Sequence, residues 1–347
     1  EILLLIFIVV DFGRARWEWF LFGVVFAGTV QALVGLYTFA GGSGAPHLWI
    51  LDFQYFRAFG SFGQPNPFGA FMGLILPLAI GTTWGYIRRA WQKHQLGEQW
   101  QDTALVALAY GIMTIIILSA LLASWSRGAW MGFAAAALVL IWLAPRRLWT
   151  GTLAVATVGL VAGGLWLAGL LPQSIVERVV SFSEDFTGFG DMRGVVISDE
   201  NYPVVERLAH WQSALDMAES RPVFGVGIGN YEVAYPDFAL VNWPDALGHA
   251  HNYYLNLLAE TGITGFIAYL SMGIAIFALT WRTLRETDAL VERGVALGLF
   301  GVWTHLAVHS LVDKLYVNNM FLHVGVMMGI LAVLWQRKNS IVKETIV

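Results

Sequence analysis

A chain of 347 residues that is 57% hydrophobic and only 13% charged, with a mean hydropathy of +0.62, carries more apolar surface than a fold in water can hide. Lipid is its expected solvent. With no cysteine it has no disulfide framework, thiolate metal site or cysteine nucleophile, and a net charge of −4 gives nucleic acid no electrostatic footprint.

In chain order, Glu1 to Val10 is apolar but about half the length that crosses a bilayer, with neither a basic flank nor a cleavage site. It reads as the tail of a span, so the chain is expected to be truncated at its start. Apolar runs follow at 19–40, 67–87, 104–123, 129–143, 150–171, 253–281, 294–312 and 319–336. The run at 129–143 is short for a span. Basic residues cluster in alternate connections: Arg14 and Arg16; Arg88, Arg89 and Lys93; Arg146 and Arg147; Arg282, Arg285 and Arg293; Arg337, Lys338 and Lys343. If every run crosses once, these five connections share one side, the cytoplasmic one.

The expected organisation is an N-terminal transmembrane bundle over 1–171, an extracytoplasmic loop over 172–252, and C-terminal transmembrane helices with a short cytoplasmic tail over 253–347. The loop is acidic, with Glu184, Asp185, Asp199 and Glu200 among its carboxylates, and most of these read as solvated surface. Within it Pro203 to Ser220 reads as an amphipathic helix, with Val204, Leu208, Trp211, Leu215 and Ala218 at helical spacing.

Several polar groups stand out. Gly60 to Gly69 carries Asn66 between two prolines at the start of a span, suiting either a pocket-lining turn or a plain interfacial loop. Ser124-Trp125-Ser126-Arg127-Gly128 places an arginine at the external end of two closely joined spans, where it either faces a cavity or snorkels to the headgroups. Arg207 is open to pairing with Glu206, and Arg221 precedes a run whose alternating Gly225, Gly227 and Gly229 read more readily as a tight turn than as a phosphate loop.

Where the loop meets the next span, Gly248-His249-Ala250-His251-Asn252 offers a histidine that titrates near neutrality, suited to general-base work, with Asn252 to orient it. A core histidine satisfied by a carbonyl is the plain alternative. Two histidines at i and i+2 lack a further ligand cluster, so no metal is expected. His305, His309 and Asp313, at i, i+4 and i+8, would share one face of a span.

Together, Ser126-Arg127-Gly128, Arg207 upstream of the Pro222 to Asn230 run, and His251-Asn252 followed by Gly262-Ile263-Thr264-Gly265 resemble the O-antigen ligase and polymerase superfamily of membrane glycosyltransferases. The resemblance implies an all-α polytopic protein of the bacterial cytoplasmic (inner) membrane: a GT-C-like helix bundle with a large, partly helical extracytoplasmic loop. It implies an undecaprenyl-diphosphate-linked glycan as donor and a glycan or lipid A-core hydroxyl as acceptor, as in lipopolysaccharide biosynthesis. Arg127 and Arg207 would bind the diphosphate and His251 would deprotonate the acceptor, without cofactor or metal and with inversion. Arg221, Asn252, His249, Asn66, His305 and His309 would line the substrate site. Chain polymerisation is the alternative within the superfamily. Outside it stand a small-anion transporter, which basic groups beside broken helices also suit, and a non-catalytic scaffold.

Overall fold

The computed structural model describes residues 1–346 apart from 15, 43–44, 46–47, 52–53, 175, 178–190 and 199–200, with side chains through 337. The acidic Glu184, Asp185, Asp199 and Glu200 fall outside the described residues. The chain is 73% helical, and β1 (Trp49–Ile50) pairs antiparallel with β2 (Tyr55–Phe56).

Each expected run is a helix: α2 (Trp17–Phe39), α3 (Pro65–Gln95), α4 (Gln101–Ala123), α5 (Arg127–Leu143), α6 (Leu148–Leu167), α9 (Tyr253–Glu286), α10 (Leu290–His309) and α11 (Met320–Ile346). A further apolar helix, α1 (Ile2–Gly13), precedes them, and α7 (Tyr202–Ser220) and the short α8 (Tyr231–Ala234) lie between α6 and α9. Among the described residues six helices are long and apolar enough to cross a membrane: α2, α3, α4, α6, α9 and Met320–Arg337 within α11. The 17 residues of α5 rise about 26 Å, slightly less than a hydrocarbon core of about 30 Å. Helix α10 opens with Glu292 and Arg293 inside its first turn. This is an all-α polytopic membrane protein.

The chain forms two compact units: residues 1–169, 277–307 and 316–347, and residues 170–276 and 308–315. In the first, α3 and α10 meet through glycines. Gly81 and Gly85 face Gly294 and Gly298, each pair spaced by four, and a Cβ on any of them would run into backbone of the opposite helix. Without a hydrophobic drive between helices in lipid, such close approach supplies the packing. Both motifs are plain in the sequence, yet nothing along the chain pairs them. His305 is fully buried in this unit, where its ring fills the space left by Gly73 of α3.

The basic connections come together at one end of the same unit. Arg146 pairs with Asp288 at 2.6 Å, Arg285 donates to the Arg146 carbonyl at 2.7 Å, and Arg293 donates to the Ala144 carbonyl at 2.9 Å. Arg293 and Arg88 both lie over Trp84, while Arg337 reaches Glu292 at 3.2 Å and the Arg14 carbonyl at 2.9 Å. Parts of all five basic connections therefore gather where α3, α5, α9, α10 and α11 begin or end. A shared end is what their alternation along the chain predicts.

In the second unit, α7 packs on the loop that follows it. Its buried face consists of Val205, Ala209, His210, Trp211, Ser213, Ala214, Met217 and Ala218, whereas Leu215 is 41% exposed. The stripe is thus rotated from the one that the large apolar residues suggest. Small Ala209 and Ala214 let other rings approach: Ala214 shares a core with Tyr231, Tyr235 and Ala259, and Ala209 lies with Trp243 and Leu240.

Helix α9 is two helices joined at Gly262, whose φ of 61° and ψ of −165° break it. The glycine-rich run explains the break. Val226 and Gly227 donate to the Ala259 and Glu260 carbonyls, both at 2.9 Å, and Ile263 donates to the Pro222 carbonyl at 2.8 Å. The run therefore caps the carbonyl end of the first half-helix instead of cradling a phosphate. Gly225 and Gly262 sit where the two backbones touch, so a Cβ on either would overlap the other strand of the clasp. Gly262→Ala combines a left-handed backbone with this overlap and should cost on the order of 3 kcal/mol. A thermal unfolding midpoint equal to that of the parent protein would contradict it.

Candidate active site

The second unit holds a cluster of titratable groups built around residues 249–256. Asn252 is the N-cap of the first half of α9: its Oδ1 accepts the Leu255 N–H at 3.1 Å, and its carbonyl accepts the Asn256 N–H at 2.9 Å. Asn256, 2% exposed, returns the tie by accepting the Ala250 N–H at 3.1 Å. Between these anchors His251 adopts φ 51°, a left-handed conformation rare outside glycine, and its N–H donates to His249 Nδ1 at 3.1 Å. Asn252 therefore fixes the turn that carries His251 instead of touching the ring through its capping oxygen.

Three imidazoles meet here. The His249 and His251 ring centroids lie 4.3 Å apart, and His210 of α7 meets His251 edge-on at 5.8 Å. His210 is fully buried, stacks on Tyr235 at 4.8 Å, and shares a hydrogen bond with the Tyr231 hydroxyl at 3.1 Å. The Nε2 atoms of His210 and His251 are buried and have no hydrogen-bond partner. Buried polar atoms left so are rare and costly, and often mark function.

The turn 310–315 completes the cluster. Ser310 accepts the Tyr253 N–H at 2.9 Å, and Asp313 presents a carboxylate oxygen that lies, with one ring nitrogen each of His249 and His251, within 4.8 Å of one another. Asp313 is not on the helix face that the i, i+8 spacing suggests. Helix α10 ends at His309, and the chain tightens through Leu311 N to Val308 O and Val312 N to His309 O. His309, 1% exposed, belongs to this unit, whereas His305 belongs to the other.

Burial sets the electrostatics. It pushes the His251 imidazole from 6.5 to about 2, helped by His249, Arg207 and His210. Burial also takes His249 down to about 4, with Lys314, His210 and Arg207 contributing, and takes His210 to about 4 on its own. Asp313 is raised by burial, with Arg207 and the Lys314 N–H working against the rise. All three histidines are thus neutral at pH 7. Because their folded values are depressed, the unfolded chain binds more protons below pH 6.5, so stability is full above about 6.5 and falls with pH towards about 4 for His210 and His249, and on towards about 2 for His251. The unfolding midpoint should drop between pH 6.5 and 4, and His210→Gln should flatten that drop; a midpoint constant over this window would contradict it.

Arg207, half-buried in α7, bears on His249, His251 and Asp313. Among the described residues neither Arg207 nor Lys314 has a carboxylate within 4.0 Å. Arg221 does not join them. It sits exposed at the far end of α7, 14 positions from Arg207, which is roughly 21 Å of helix.

Arg127 and Asn66 lie in the first unit. Arg127 opens α5 after Ser126, and the turn before it is fixed by Ser124, whose Oγ donates to the Leu121 carbonyl at 2.6 Å and accepts the Ser126 N–H at 3.3 Å. Gly69 leaves room for this turn, since a Cβ there would meet Ser124, Ser126 and Ala129. Asn66 belongs to the first turn of α3 and accepts from Arg57 Nη2 at 2.9 Å, while Arg57 Nε donates to the Ser124 carbonyl at 3.1 Å. Arg57 thus ties Asn66 to the turn that presents Arg127. Sequence reasoning missed Arg57, as it missed His210, Asn256 as a tie, Lys314, and Asp313 as a neighbour of the histidine pair. Of these only Asn256 carried a local signal, an amide one turn past an N-cap.

Residues 112–270 match the family model described as O-antigen ligase, a span that contains Arg127, Arg207, Arg221, His249, His251 and Asn252. No curated protein matched the chain.

Proposed function

We propose, from the premise that this chain is a membrane enzyme of the O-antigen ligase and polymerase type, that it transfers a glycan from an undecaprenyl-diphosphate carrier to an acceptor hydroxyl on the outer side of the bacterial cytoplasmic membrane. The single observation that carries this reading is the His251 turn. A neutral imidazole with an unpartnered, enclosed Nε2 is held in a left-handed backbone by an N-cap, a backbone tie and a neighbouring histidine.

In the proposed step, the acceptor oxygen attacks the anomeric carbon as its proton passes to His251, and the bond to the diphosphate oxygen breaks on the opposite face. Inversion follows from that in-line geometry. Arg127 and Arg207 bind the diphosphate and stabilise the charge it gathers. An imidazole pushed down to about 2 is always available as a base but holds a proton weakly. A bound diphosphate supplies the negative charge in ion-pair range that Arg207 and Lys314 lack among the described residues, and so raises the imidazole's proton affinity when transfer needs it. The same two cations, half-buried without a carboxylate in ion-pair range, are suited to an anionic ligand. Arg221, exposed at the far end of α7, is peripheral in this scheme. His249 orders the His251 turn, and His309 supports the packing of the same unit, whereas His305 packs against Gly73 in the first unit.

The test is incubation of purified protein with a defined undecaprenyl-diphosphate oligosaccharide, with and without acceptor. Release of the lipid diphosphate only when a separate acceptor is present supports ligation, and products lengthening on the carrier support polymerisation. Flux of a small anion into proteoliposomes with the donor unconsumed would replace both with transport.

A further inference from the structure

His249, His251 and Asp313 come from two segments far apart in sequence, and one ligand atom of each lies within 4.8 Å of the other two. Two imidazoles and a carboxylate are the donor set of many three-ligand sites for borderline divalent ions, which leave further positions open. The buried Nε2 of His251 has no hydrogen-bond partner to lose. His249 would give up at most one bond, the His251 N–H on its Nδ1. Ligands about 2.0 to 2.2 Å from zinc stand about 3.4 Å from one another. The widest-spaced of the three groups must therefore close by about 1.4 Å, which rotation of the half-buried side chains would supply. Against the ion stand the positive charges of Arg207 and Lys314, which reach the same residues.

We propose that His249, His251 and Asp313 form a binding site for a divalent transition-metal ion of the Zn²⁺ type, and that an ion held there silences transfer by occupying the lone pair on His251. The inhibitory half rests on the proposed function; the binding half does not. Three ligands outweigh two nearby cations, and the opposition leaves a signature: removing a ligand weakens the ion, whereas removing a cation strengthens it. A site made only of adventitious surface histidines would not respond to Arg207 or Lys314 in that direction.

The experiment uses the purified full chain in detergent, with Zn²⁺ in competition with a chromophoric chelator and Co²⁺ as a spectroscopic probe. One ion per chain is expected, with affinity falling at least tenfold in His249→Ala and in Asp313→Asn and rising severalfold in Lys314→Ala. The absorption of Co²⁺ in the parent protein reports nitrogen and oxygen ligation directly, so a poorly folded variant cannot decide the result. Absence of saturable binding, or binding that neither ligand variant weakens, overturns the site. Zn²⁺ should stop release of the lipid diphosphate and a chelator should restore it; full activity at saturating Zn²⁺ overturns the inhibitory half. Stoichiometric binding by a protein that never consumes the lipid donor overturns the proposed function and leaves the metal site standing.

Discussion

Replacing His251 with alanine is expected to lower glycan transfer by roughly 10²- to 10⁴-fold, the usual contribution of a positioned base. Donor binding should change little, because in the proposed scheme the arginines and not the imidazole meet the diphosphate. His251→Gln separates chemistry from shape: it approximates the ring's size and polarity, but its amide is far too weak a base to accept the hydroxyl proton. Its activity should therefore fall as far as that of the alanine variant, while its unfolding midpoint stays near that of the parent. Single-turnover release of undecaprenyl diphosphate is the readout, since it isolates the bond-breaking step from product departure. The left-handed backbone at φ 51° adds a second check. His251→Gly relieves that strain, so it should fold at least as well as His251→Ala and still be inactive.

Removing either proposed diphosphate arginine should have the next largest effect. Loss of one preorganised charged donor to a developing oxyanion typically costs about 10² to 10³ in rate, so Arg127→Ala and Arg207→Ala should each fall in that range. Lysine restores the charge without the two-pronged geometry and should recover only part of the loss. If both guanidinium groups hold the same diphosphate, the double variant should be less damaged than the product of the single losses, because each single change already spoils a shared interaction. Losses that multiply independently would mean that the two arginines act on separate groups. The unfolding midpoint of each variant is the control: Arg127 opens a helix and Arg207 is half-buried, so a fold defect must be told apart from a lost charge.

What could be read from the sequence follows a physical divide. Helices were legible because an apolar run declares itself locally, and the prolines at the start of α3 and α7 mark their first turns. The basic connections were legible because orientation depends on composition, and they gather at one end of the first unit. Pairings between distant segments were not. Gly81 and Gly85 meet Gly294 and Gly298 through backbone contact, which leaves no periodic trace in either helix alone. Asp313 reached the histidines because α10 stops at His309, and its spacing from His305 and His309 wrongly suggested a continuing helix. On α7 the large residues misled, since Ala209 and Ala214, by being small, decide which side Tyr231, Tyr235 and Trp243 can approach. At the site itself, His251 and Asn252 stood out as a motif. The difference between them, one carrying a buried nitrogen without a hydrogen-bond partner and the other capping a helix, needed coordinates.

The most direct test of the central claim is mass analysis of products after purified protein meets a defined undecaprenyl-diphosphate oligosaccharide and a hydroxyl-bearing glycan acceptor. Free undecaprenyl diphosphate is expected together with an acceptor heavier by one glycan, joined through an inverted anomeric centre, and both should fall by about 10²-fold or more with His251→Ala. Recovery of the donor intact, or equal product from His251→Ala, would contradict it.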